Sequence, residues 1–176
     1  MLGRIAIHLS NDKACSRRID AGLLLAKEHG AEVVGIYPAD SISGHYYDEA
    51  IIPQDVRKIL RGRRDEFRDS VHKLFLERAE AAGVKAAWRN PEGEADEALA
   101  LHARYCDLLV MSKAERVDSV TALIPNLPEA VVMAAGRPVL MIPSSGNITS
   151  IGKRVLYCWD QRREAARAFT DATPFF

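Results

Sequence analysis

From residue 4 to residue 143 the chain alternates between short apolar runs and longer stretches with helical periodicity, and this alternation limits it to one fold class. "RIAIHL" (4–9) is a β-branched apolar run. In the stretch after it, Ile19, Leu23 and Ala26 recur at helical spacing, and Gly30 stands where a helix-ending glycine belongs. "AEVVGIYPAD" (31–40) reads as a second strand, stopped at Pro38. A second helical stripe runs from Pro53 to Ala82 through Val56, Leu60, Phe67, Val71, Leu74 and Phe75. "VKAAWR" (84–89) is a third strand, and a short helix comes next on Ala95, Leu99 and Ala103. "DLLVMS" (107–112) is a continuous apolar strand of the kind covered on both faces. "LPEAVVMAAG" (127–136) is a helix with Pro128 in its first turn, and "RPVLMIP" (137–143) is a fifth strand. Parallel neighbours need crossover connections, so the order β-α-β-α-β-α-β-α-β predicts a doubly wound, five-stranded parallel α/β sheet of Rossmann-like form.

That domain fills residues 1–143. "SSGNITSIG" (144–152) is rich in Ser and Gly and reads as a linker. The stretch beyond the linker resembles the start of the chain. At a shift of 150 residues Arg4 falls on Arg154, Ile5 on Val155, Leu9 on Trp159, Ser10 on Asp160 and Arg17 on Arg167. Residues 153–176 are therefore expected to be the first strand and helix of a second, truncated copy of the domain.

These stretches carry a family resemblance. "CDLLVMS…LPEAVVMAAGRPVLMIP" is similar to the C-terminal half of the universal stress proteins, where a strand ending V-[ML]-G leads through a loop and a helix to a strand beginning P-V-L. "RVLYCWDQRREAARAF" resembles that family's opening, V-L-V-A-[WV]-D-G-S-x-E-A-x-x-A. The resemblance covers nearly the whole chain and implies an adenine-nucleotide alpha-hydrolase-like fold in a tandem arrangement. It also implies a nucleotide site, because one branch of the family binds ATP or AMP through G-x-x-G, nine residues, then G-[ST]. Glycines in such a loop let backbone N–H groups approach phosphate, and the helix N-terminus favours the anion. In this chain Ser112, Glu115 and Pro125 occupy the three glycine positions, and Asn126 the Ser/Thr position, where it could cap the next helix. Pro125 has no N–H to give, and Glu115 brings a carboxylate toward phosphate. The Asp that comes after the family's first strand is Ser10 here, while Asp160 matches it in the incomplete second unit. Ser10, Met111, Ser112, Glu115, Pro125 and Asn126 thus mark a vestigial site, and no cofactor is expected.

Other chemistry is thinly represented. His8 and His102 lack partners at metal-ligand spacing and read as packed or partly exposed residues, and Met111 and Met141 read as core. His45, Tyr46 and Tyr47 lie in a loop after the second strand and read as a surface loop, with a ligand-binding role as the alternative. "RKILRGRR" (57–64) is a candidate anion or nucleic-acid patch, but Asp55, Asp65, Glu66 and Asp69 flank it and favour a solvated helix face. Lys plus Arg and Asp plus Glu are 24 each, so no net charge draws the chain to nucleic acid or an anionic membrane. Three scattered cysteines, Cys15, Cys106 and Cys158, fit neither a disulfide framework nor a zinc site and point to a reducing compartment. With no signal-peptide or transmembrane run, a cytoplasmic protein is expected. The expected function is that of a non-catalytic stress-response or regulatory module. The alternatives are an adenine-nucleotide switch and an anion binder using residues 57–64. A homodimer is expected through strand five (137–143), with exchange of the 153–176 tail.

Overall fold

The computed structural model describes residues 1–39, 54–113, 126–143 and 145–175, with Arg57 and Leu60 described in backbone only. The loop around His45–Tyr47, Glu115 and Pro125 lie outside these residues. Among the described residues there are five strands: β1 (Arg4–His8), β2 (Glu32–Ile36), β3 (Ala86–Arg89), β4 (Leu108–Ser112) and β5 (Val139–Ile142). The helices between them are α1 (Cys15–His29), α2 (Gln54–Ala82), α3 (Ala95–Ala103) and α4 (Leu127–Ala135). All strand pairs are parallel, in the order β3-β2-β1-β4-β5. The expected doubly wound α/β sheet is therefore what forms.

Strand alternation explains the two-sided core. Ile5, Ile7, Val33, Leu108 and Val110 pack beneath α1 and α2, with Ile19, Leu25, Val71 and Phe75. Their neighbours Ala6, Val34, Leu109 and Met111 pack against α3 and α4, with Leu99, Ala103 and Val131. The sheet centre admits the helices closely because two positions lack a side chain. A Cβ on Gly22 of α1 would lie 2.4 Å from Ile7 Cδ1, and one on Gly35 of β2 would lie 2.5 Å from Leu9 Cδ1 and 2.9 Å from Phe75 Cε1. Gly136 ends α4 in the left-handed region, with φ 63°.

Three expectations need correction. Met141 is partly exposed, because β5 is the sheet's edge and its burial pattern lacks the full cover of β4. Asn126 stands at the N-cap of α4 in the left-handed region, φ 70°, and its side chain makes no capping hydrogen bond. Residues 154–159 form no strand. A lone strand cannot satisfy its backbone donors and acceptors without a neighbour, and among the described residues no strand pairs with this segment. The helix expected after it does form, as α5 (Arg163–Ala172), and a 3-10 turn at Thr173–Phe175 succeeds it.

The linker is more structured in its contacts than its composition suggests. Arg17 Nη2 donates to Ser145 O at 2.7 Å. Ile148, Ile151 and Phe175 pack against the α1–α2 side of the core, and the Phe175 ring meets His29 edge-on at 6.3 Å. In the basic stretch Lys58, Arg61 and Arg63 are exposed, and two of the flanking acids, Asp65 and Asp69, pair with Arg68, outside the stretch, at 2.8 Å and 2.9 Å. Among the described residues no helix is long and apolar enough to cross a membrane.

Candidate functional site at the β1–β4 crevice

In an open α/β sheet the ligand crevice lies beyond the carboxyl ends of the strands, where the order reverses. Here that place is between β1, which continues to β2 on one side, and β4, its neighbour on the other. Two sequence-marked residues meet there, Ser10 just past β1 and Ser112 at the end of β4. Arg18 of α1 joins them. Its side chain is 1% exposed.

All five guanidinium donors are in use. Nε donates to the His8 carbonyl at 2.7 Å. Nη1 donates to Ser112 Oγ at 2.6 Å and to Asp12 Oδ1 at 3.1 Å. Nη2 donates to Ser10 Oγ at 2.8 Å and to Asp12 Oδ2 at 2.9 Å. The Asp12 carboxylate is equally occupied. Besides the forked pair with Arg18, Oδ1 accepts the Ala14 N–H at 2.7 Å and Oδ2 accepts the Ser10 hydroxyl at 2.5 Å. Ala14 stands at the N-cap of α1 without a side-chain cap, and the bond from its N–H makes Asp12 the start of an Asx turn that leads into the helix.

Burial and charge together set the protonation of this cluster. Burial alone would raise Asp12, but the Arg18 charge and the hydrogen bonds from Arg18 and Ser10 outweigh it and hold the carboxyl below its ordinary range. His8, buried under the same cluster, is lowered to about 3 by desolvation, with the Arg18 charge adding to the effect and Asp12 partly opposing it. Its ring is neutral, and Nε2 is buried without a hydrogen-bond partner. The arrangement is a closed ion pair whose guanidinium and carboxylate are engaged from within, and among the described residues Arg18 keeps no N–H for an oxyanion.

The remaining sequence-marked positions lie apart from it. Met111 is fully buried on the opposite face of the sheet, against α3 and α4. Asn126 is exposed at the start of α4. Asp160 lies exposed in the tail, where Oδ1 accepts the Arg162 N–H at 3.0 Å, the same i to i+2 bond that Asp12 makes to Ala14. Among the described residues no group of three or more His, Cys, Asp or Glu side chains could hold a metal. Sequence reading missed Asp12 and Arg18. In "DKACSRRID" nothing distinguishes Arg18 from Arg17; the topology alone turns one inward and leaves the other on the surface.

No family model and no curated protein matches the chain. Solved structures do. A protein from the universal stress protein family of Burkholderia pseudomallei is 27% identical, with a TM-score of 0.58, and the match covers 81% of this chain and 96% of that one. A universal stress protein solved in complex with cAMP is 19% identical, TM-score 0.53, over 82% and 98% of the two chains. A universal stress protein family protein from Arabidopsis thaliana, solved with AMP bound, is 13% identical, TM-score 0.58, over 85% and 96%.

Proposed function

The chain belongs by its fold to the universal stress proteins, and on that premise we propose that it is a non-catalytic regulatory module of the cytoplasm that leaves adenine nucleotides unbound at the β1–β4 crevice. The observation that carries this reading is the saturation of Arg18 and Asp12. A phosphate entering the crevice would have to take donors already engaged by buried acceptors, and leaving a buried acceptor unpaired costs about 1–3 kcal/mol. It would also meet the Asp12 carboxylate. Ser10 in place of the family's Asp, and Glu115 and Pro125 in place of loop glycines, act in the same direction.

Because two of the similar structures hold cAMP and AMP, adenine nucleotides are the ligands to test. Isothermal titration with ATP, AMP and cAMP should show no saturable heat up to the millimolar range. A 1:1 isotherm with a micromolar dissociation constant for any of the three would replace this reading with that of a nucleotide switch.

A further inference from the structure

Val139 and Leu140 of β5, with Met133 of α4, form one wall of a groove of about 770 Å³, and Ala168 and Ala172 of α5 form the other. The helix stands beside the strand without packing on it, since none of its residues is buried. Ala168 and Ala172 lie one turn apart and are short, so the space between helix and strand stays unfilled. This apolar lining has a charged end. Three arginines line the groove against two carboxylates. Arg167 Nε donates to both oxygens of Asp171, at 3.1 and 2.9 Å, and Arg163 Nε donates to Glu164 at 2.6 Å. Arg137 is the cation in excess. Its Nε and Nη2 donate to the Arg104 carbonyl at 3.2 and 3.1 Å, Nη1 keeps both of its N–H groups, and among the described residues no carboxylate pairs with it.

We propose that this groove binds a fatty acid, with the alkyl chain between β5 and α5 and the carboxylate on Arg137. The backbone supplies a second donor beside that guanidinium. Leu109 stands opposite Val139, and its N–H donates to Pro138 O at 3.0 Å, so the residues flanking Val139 bond across to β4. Val139 therefore turns its own N–H to the open edge, where among the described residues no strand lies. A carboxylate accepts from Arg137 Nη1 and from this N–H together. The excess of one positive charge suits a monoanion, whereas a phosphate dianion would meet Glu164 and Asp171 with no cation left to balance it. Length fits as well: the ten residues of α5 extend about 15 Å, which matches an extended chain of medium length. The volume is in the range of small-molecule sites, and the lining is apolar with a few convergent polar groups, as such sites require. No residue of the groove belongs to the β1–β4 crevice.

Isothermal titration of the full chain with sodium dodecanoate, kept below its micelle concentration, should give a 1:1 isotherm with a micromolar dissociation constant. Acetate, which lacks the chain, and dodecyltrimethylammonium, which reverses the charge of the head, should give none. Arg137→Gln and Ala168→Phe, both at exposed positions, should each weaken dodecanoate at least tenfold while leaving the far-UV melting curve in place, the first by removing the cation and the second by filling the groove. A ligand between β5 and α5 also holds the helix down, so saturating dodecanoate should slow trypsin cleavage at Arg162 and Arg163 in the parent several-fold and leave it unchanged in Ala168→Phe. No saturable heat with dodecanoate overturns the proposal, and a dimer in sedimentation equilibrium would then assign the groove to a second copy of the chain. Dodecyltrimethylammonium binding as tightly as dodecanoate, parental affinity in either variant, or parental cleavage rates at saturation overturn it equally.

Discussion

Arg18 and Asp12 place a charge pair inside a small domain, which is stabilising only while both members are present. Removing either one leaves the other buried and uncompensated, at a cost of about 3–5 kcal/mol. Urea unfolding should therefore show Arg18→Leu and Asp12→Ala each losing stability on that scale. The double variant should lose much less than the sum, because neither charge is then left alone. Additive losses would mean the pair is not coupled. His8 makes a separate prediction about pH. A group whose folded pKa lies below its unfolded one binds fewer protons when folded, so stability falls as pH drops through that window. For His8 the window runs from 6.5 down to about 3, with the full contribution present above 6.5. Asp12, also lowered, acts only below its ordinary value of 3.8. Between pH 7 and pH 4.5 the parent should lose stability faster than His8→Leu, which removes the titrating ring and its unpartnered Nε2. Parallel curves would show that His8 takes up no extra proton on unfolding.

At the scale of the element, close approach and open space give opposite responses to the same substitution. A methyl group at Gly35 meets Leu9 and Phe75 inside the core, whereas one at Gly62, within α2, meets nothing within 4 Å. Gly35→Ala should destabilise by about 1–3 kcal/mol through overpacking. Gly62→Ala should stabilise by about 0.5–1 kcal/mol, because alanine lowers the entropy of the unfolded helix segment. Thermal denaturation of the two variants should move in opposite directions, and a loss at Gly62 would show that α2 is constrained there. The elements themselves were legible because each buried strand is a continuous apolar run and each helix repeats its stripe, so β4 and α4 fall within a residue of their expected bounds. The segment 154–159 was misread for a reason of the same kind. Its residues have strand propensity, but a strand is a property of two segments, and the second one cannot be read from the first. The site was half legible. Ser10 and Ser112 are marked by their positions past apolar runs, whereas the inward turn of Arg18 depends on where α1 crosses the sheet.

Taken whole, the molecule is a five-stranded domain with a tail, residues 145–175, a strap that crosses the α1–α2 layer and brings α5 beside β5, and among the described residues its apolar attachments are few. Ile148, Ile151 and Phe175 touch the core, while α5 buries no residue. A unit held by so few apolar contacts opens without unfolding the sheet, so its opening free energy lies well below the global one. Phe175 is the largest of these anchors, packed on His29 and within 3.2 Å of the position a Cβ would take at Gly152. Burying a large apolar side chain contributes about 1.5–3 kcal/mol, so losing a half-buried one should cost the strap about 1 kcal/mol, a several-fold change in its open population. Trypsin has exposed targets along the tail at Lys153, Arg154, Arg162 and Arg163. In dilute solution, where chains are single, Phe175→Ala should speed native-state cleavage at these sites several-fold. The melting temperature of the sheet domain should stay within about 2 °C of the parent, because the strap opens separately from the sheet. Equal cleavage rates would mean that the strap is held elsewhere. A melting temperature falling together with faster cleavage would mean that the tail and the sheet unfold as one cooperative unit.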